Sequence, residues 1–343
     1  MPSHQPRGDW LRRPLVLTRL AAASVLANIV IVVTGGAVRL SASGLGCPTW
    51  PRCTEGSLVR TRETGAHGLI EFGNRTLTFV LVAVAVATLV VAIRQRRHVR
   101  LAVAAFVGIP AQAVVGGISV LTHLNPWVVS LHLLLSMVII AITLLLWWRV
   151  RPSDAAAGGA ETNAFIAASN PTARGLTRIV VAVTAVVLVI GTTVTGSGPH
   201  AGAAAEDGRV HRNGLDPATV SQVHADAVMV LIGLTVGLVL LLRAVRAARR
   251  WQRAAVLLLA VELAQGLIGF VQYFTQLPSL VVGLHVFGAC TVWAAALLTL
   301  LLSGGLPTTP AAATGNRADD PPAIAHVADR SEQLSDDVDE HAD

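Results

Sequence analysis

The sequence predicts an all-α polytopic membrane protein, with eight transmembrane helices formed by two parallel four-helix-bundle repeats. Three observations lead there. The 343 residues are 53% hydrophobic and only 13% charged, with a mean hydropathy of +0.62; this leaves too little polar surface for water-facing domains of that size. Eight apolar stretches of helical length follow one another with no alternating strand pattern, each near the length that crosses about 30 Å of hydrocarbon. Arginine collects in every second connection between them.

The stretches run over roughly 20–38, 70–93, 101–121, 128–148, 177–196, 224–242, 254–272 and 281–303. Arg7, Arg12, Arg13 and Arg19 precede the first, as in a signal peptide. It continues into TGGAVRLSASGLG without a small-residue cleavage pattern, and a related segment recurs near 177, so it is read as the first helix. The chain has no lysine, and arginine alone sets the orientation. Arg94, Arg96, Arg97 and Arg100 lie between helices 2 and 3, Arg149, Arg151, Arg174 and Arg178 between helices 4 and 5, and Arg243, Arg246, Arg249, Arg250 and Arg253 between helices 6 and 7. By the positive-inside rule both termini face the cytoplasm, and the expected location is the inner (plasma) membrane of the cell. The net charge of +6 follows from that bias, and no compact basic domain supports a nucleic-acid partner.

The expected division is a cytoplasmic N-terminal segment (1–16), an N-terminal four-helix repeat (17–151), a cytoplasmic linker (152–175), a C-terminal four-helix repeat (176–303) and a disordered acidic cytoplasmic tail (304–343) that ends SEQLSDDVDEHAD. The repeat rests on paired motifs. LTRLAA from Leu17 answers LTRIVV from Leu176, and VTGG at 33–36 answers VTGS at 194–197. AQAVVGG at 111–117 answers AQGLIGF at 264–270, and Leu131-His132 answers Leu284-His285, both at an offset of 153 residues. Four crossings separate equivalent positions, so both copies have one orientation and an axis along the membrane normal relates them. Gly35, Gly36, Gly116, Gly117, Gly266 and Gly269 suit close helix contact or space beside a flat ligand.

Ionisable residues inside such helices mark functional interiors. His132 and His285 sit near the outer starts of helices 4 and 8, and His224 opens helix 6. His224 and His285, at similar depth on different helices, suit the two faces of one haem iron, with no open position left on the metal; zinc would need further ligands that are missing from that half. In the first half His67, Glu71 and Asn74 share one helical face, and Asn74 stands roughly where His224 stands in the second. His132 is then the close axial ligand there, with the opposite face open or reached by His67. Glu71 is the candidate for proton transfer or water orientation, or else a partner of Arg75 or Arg39. Arg75 and Arg39 are candidate clamps for anionic propionates. Asp226 points to solvent or a propionate, and Glu262 and Gln265 are assigned network or structural work.

Taken together, SGLGCPTWPRC at 43–53, EFGNR at 71–75, LNPWVVSLH at 124–132, His224 and Leu284-His285 resemble the bacterial haem A synthases, relatives of the mitochondrial enzyme that serves cytochrome oxidase assembly. The resemblance spans roughly 17–303. It implies oxidation of the C8 methyl group of haem O to a formyl group by successive hydroxylations, with electrons delivered through a bound haem b. It also implies His224 and His285 as cofactor-haem ligands, His132 as an axial histidine of the substrate haem, Glu71 as the acidic residue beside it, and Cys47 and Cys53 as the outer cysteine pair. Haem O synthase as substrate donor, the cytochrome oxidase assembly machinery, an electron donor and the lipid bilayer are the expected partners. The family usually has histidine where this chain has Asn74, a poor imidazole substitute at iron. The leading alternative is a membrane di-haem cytochrome b that carries electrons without modifying haem.

Cys47 and Cys53 flank Trp50 and two prolines, a segment that suits a metal knuckle, a redox pair or a structural clip. The predicted topology puts it outside, where disulfides persist, and the remaining cysteine, Cys290, falls within helix 8. A disulfide that clips the outer loop over the first-half site is the expectation, with a redox role left open. Asn74 supplies a direct test: Asn74→His is expected to make the substrate haem low-spin and to abolish product formation, whereas unchanged haem spectra contradict an open coordination position.

Overall fold

The computed structural model describes residues 11, 13–62, 65–152, 170–200, 202–203 and 211–304. The acidic tail after residue 304, nearly all of 1–12 and most of the predicted linker lie outside these described residues. Within them are eight helices: α1 Pro14–Leu40, α2 Gly65–Gln95, α3 Val99–Leu121, α4 Pro126–Val150, α5 Pro171–Ser197, α6 Pro217–Ala244, α7 Arg249–Phe274 and α8 Ser279–Leu302. Each is long and apolar enough to cross a membrane, and the chain is an all-α, multi-pass membrane protein.

Several helices begin earlier than hydropathy alone suggests, because polar caps start them. Asn125 Oδ1 accepts the Trp127 N–H ahead of Pro126 in α4. Asn170 accepts Ala173 N–H ahead of Pro171 in α5, and Asp216 accepts Thr219 N–H ahead of Pro217 in α6. A side-chain oxygen at the N-cap followed by proline at the first helical position satisfies free N–H groups and pre-sets the backbone. His224 therefore lies two turns inside α6 instead of at its opening, and α5 starts within the predicted linker; α2 too begins early enough to include His67.

Each helix packs mainly on its sequence neighbours. α1 touches α2 and α4, and α3 touches α2 and α4; α5 touches α6 and α8, and α7 touches α6 and α8. α1 also meets α8, and α4 meets both α5 and α8. One apolar cluster is confined to α5–α8 and the turn between α6 and α7, around Trp251, Leu238, Leu242 and Leu258. A second lies among α1–α4, around Leu17, Ala92 and Leu146. A third joins Val32, Met137, Ile140 and Cys290 with Trp293 between them, and the Trp293 indole N–H donates to the Met137 carbonyl at 2.9 Å. Only 17–28% of each spanning window is buried, so side chains such as Phe79, Leu240 and Leu257 require an apolar solvent, which the bilayer supplies.

The turns carry the same offset as the motifs. In α3–α4, His123 and Leu124 take positive φ and Leu124 N–H bonds Ser119 O at 2.7 Å. In α7–α8, Gln276 and Leu277 do the same, with Leu277 N–H on Gln272 O at 2.7 Å. These six-to-one closures end each helix by satisfying its last carbonyls. They set α4 and α8 against α3 and α7 at matching heights, which fixes where His132 and His285 face their neighbours.

Candidate functional site

The imidazoles of His224 on α6 and His285 on α8 face one another with ring centres 6.4 Å apart and planes inclined at 72°. A metal ion held by two imidazole nitrogens at about 2 Å from each would place the ring centres roughly 6–6.5 Å apart. Glycines admit both rings. A methyl group added to Gly191 on α5 would come within 3.1 Å of His224 Cε1, and one added to Gly269 on α7 within 3.4 Å of His285 Cε1. Beside this pair, Gln265 Nε2 donates to the His285 carbonyl at 2.8 Å. Glu262, buried and one turn deeper in α7, accepts the Thr235 hydroxyl at 3.0 Å. Asp226 is exposed and accepts from Gln222.

The first half repeats this arrangement in part. His132 on α4 lies against Gly116 of α3, where an added methyl would meet its Cε1 at 3.1 Å, and Gln112 Nε2 donates to the His132 carbonyl at 3.1 Å. Opposite, the α1–α2 pair has Asn74 beside Gly35, as α5–α6 has His224 beside Gly191. Asn74 Oδ1 accepts the Thr34 hydroxyl at 2.8 Å, and its amide group replaces the imidazole at this position. His67, exposed in the first turn of α2, pairs through Nδ1 with the Ser43 hydroxyl at 2.9 Å.

Cys47 and Cys53 form a disulfide, and both residues are fully buried. The loop they close is held to α2 by Glu71 and Arg75. Glu71 Oε2 accepts the Cys47 N–H at 2.7 Å, and its Oε1 pairs with Arg75 Nη2 at 2.5 Å. The Arg75 guanidinium also donates to the carbonyls of Cys47, Thr49 and Arg52. Trp50, in the same loop, occupies the space over Gly117, next to the glycine that faces His132. Arg39 bonds elsewhere, donating to the carbonyls of Thr195 and His200, while Gly44 N–H donates to Gly202 O at 2.7 Å. The two arginines read as propionate clamps are thus engaged with backbone carbonyls, and Glu71 has Arg75, not Arg39, as its partner.

Sequence reasoning missed Gly191, because the VTGG motif aligned on VTGS places Gly35 opposite Gly196, whereas the residue that faces His224 is one turn earlier. It also missed Trp50 as the plug over Gly117 and Gln112 as the counterpart of Gln265, although the shared 153-residue offset carried the latter. Among the described residues, no three His, Cys, Asp or Glu side chains cluster as a metal-ion site by themselves.

The COX15-CtaA family, described as cytochrome oxidase assembly protein, matches residues 18–297. The chain belongs to this family. Every site residue above falls within the match. A heme A synthase from Lysinibacillus sphaericus (strain C3-41) is 34% identical over 134 residues, which is 37% of this chain and 42% of that relative. The chain therefore aligns with less than half the length of that relative. In this family member the acid–arginine pair fastens a disulfide loop against the half that carries Asn74. Arg75→Met is expected to loosen that loop, with thiol reduction and alkylation of Cys47 and Cys53 accelerated at least about tenfold by loss of several charge-assisted hydrogen bonds; an unchanged rate, followed by mass spectrometry, contradicts the anchoring role.

Proposed function

We propose that this chain is a haem A synthase, which oxidises the C8 methyl group of haem O to a formyl group by successive hydroxylations. The observation that carries the reading is the opposed pair His224 and His285, each seated against a glycine and spaced for one metal centre, within a member of the COX15-CtaA family. In this reading the chain is a four-helix unit written twice, α1–α4 for the substrate haem and α5–α8 for haem b, related by an axis along the membrane normal. The duplicated Gln–Gly–His contacts and turns support it. The fully substituted ligand set His224/His285 suits electron transfer, while the Asn74 side leaves His132 as the substrate-side ligand. When bound, haem b supplies one-electron transfer and the substrate haem supplies its own iron for the oxidation.

The remaining work belongs to this chain's side chains. His132 orients the substrate through the face over Gly116. The disulfide loop, with Trp50 over Gly117, excludes water from the end of the bundle where His132 lies. Glu71 holds that loop through Oε2 and carries a proton to or from the substrate edge when its hold on the Cys47 N–H is released. Asn74 and His67 line the same α2 face, and Arg75 keeps Glu71 in place. The membrane is the plasma membrane, with both termini on the cytoplasmic side and the disulfide loop outside. Haem O synthase hands over the substrate, a separate reductant supplies electrons, and the cytochrome oxidase assembly machinery receives the product.

One observation favours a second reading, a di-haem electron carrier: both carboxylate oxygens of Glu71 are already engaged, as they would be in a purely structural anchor. Supplying purified protein with haem O, reductant and oxygen separates the two. Haem A formation is expected from the wild type. Glu71→Gln, which retains an acceptor for Cys47 N–H, is expected to keep bound haem and lose at least about a hundredfold in turnover, the low end of what a proton-transfer group contributes. Stable haem with no conversion in the wild type contradicts the synthase, and full turnover by Glu71→Gln contradicts the proton role.

A further inference from the structure

Among the buried side-chain atoms without hydrogen-bond partners, which include His224 Nδ1 and Glu262 Oε2, four fall into two matched pairs. His132 Nδ1 and His285 Nδ1 are buried and unpaired, and so are Gln112 Oε1 and Gln265 Oε1. In each half the glutamine amide is anchored by its Nε2 to the carbonyl of the same histidine, 20 residues further along the chain. In each half, too, the glycine four residues after the glutamine lies under that histidine's ring. A buried acceptor and a buried ring nitrogen thus stand on facing helices, twice, at one offset. His224 Nδ1 is buried without a partner as well; the glutamine arrangement belongs to the histidines of α4 and α8.

An imidazole that binds a metal through Nε2 carries its proton on Nδ1. Leaving that N–H unpaired in a low-dielectric interior is unfavourable, and its acceptor makes the ring a stronger donor to the metal. We propose that Gln265 and Gln112 are the ligand-positioning acceptors for His285 and His132, each turning its free Oε1 onto the histidine's Nδ1–H when the ring is metal-bound. This rests on the proposed haem sites and adds to them a specific pair of tuning residues. The glutamines fix the tautomer of the rings and favour the oxidised metal, because a hydrogen-bonded imidazole stabilises the higher charge. Glu262 Oε2, also buried without a partner, is the competing acceptor near Gln265.

The test uses the full chain purified with its haem, read by redox titration and low-temperature electron paramagnetic resonance. Gln265→Leu is expected to retain a low-spin haem on His224 and His285 and to raise its midpoint potential; Gln265→Glu, a stronger acceptor, is expected to lower it. If the leucine variant loses haem, the glutamate variant alone decides by the direction of its shift. Low-spin haem with unchanged potentials in these variants overturns the inference, as does a shift with Glu262→Gln and none with Gln265→Leu. A wild type without any haem held by His224 and His285 overturns the functional reading itself, and this inference with it.

Discussion

A side chain on one helix can reach the centre of a bundle only where the facing helix leaves room. In this protein that constraint is met by glycine: Gly191 for His224, Gly269 for His285 and Gly116 for His132. A methyl group at Gly191 or Gly116 would press the facing ring by a few tenths of an ångström and one at Gly269 would just touch it, while bulkier side chains would compete for the space in which the His224–His285 pair holds its 6.4 Å separation. Helix ends then become important because they set height. The caps at Asn125 and Asp216 and the tight closures after α3 and α7 decide where along the bundle each ring meets its glycine. Spanning helices in lipid gain little from hydrophobic association with one another, so close backbone approach and interhelical hydrogen bonds take over that role.

The Gln–Gly–His contacts of α3–α4 and α7–α8 match, and what surrounds them differs. Counting from the Asn74–His224 pair, the positions of Glu71 and Arg75 are taken in the second half by Ser221 and Ala225. The acid–arginine pair therefore has no counterpart at those positions, and its bonds go to the disulfide loop that follows α1. The loop in turn reaches back into the bundle through Trp50 over Gly117. Charge buried in this way is tolerable because each carboxylate oxygen has a donor and the guanidinium is spread over four oxygens. Arg39 performs a different task, tying the end of α1 to the last turn of α5 and to the backbone just beyond it.

Much of this was legible in the sequence. Eight long apolar runs can hardly be anything but spanning helices, and a shared 153-residue offset in the AQ and LH motifs paired His132 with His285 and carried, unread, the pairing of Gln112 with Gln265. Helix starts were less legible, because hydropathy ignores Asn-Pro and Asp-Pro caps; His224 moved two turns inward for that reason. Gly191 escaped because the α1 and α5 motifs drift by a turn between their starts and the histidine level, so that letter matching and spatial matching part company. The pairing of Arg75 with Glu71 was among the sequence expectations, but the other destinations of Arg39 and Arg75 could not be read. Those partners are backbone carbonyls, which leave no trace in residue identity.

Central to the account is that one metal centre sits between His224 and His285. The most direct measurement is low-temperature electron paramagnetic resonance of the oxidised, purified protein beside its His224→Ala and His285→Ala variants. The account predicts a low-spin signal of a bis-imidazole haem in the wild type that is lost in both variants. A low-spin signal that survives unchanged in either variant contradicts it.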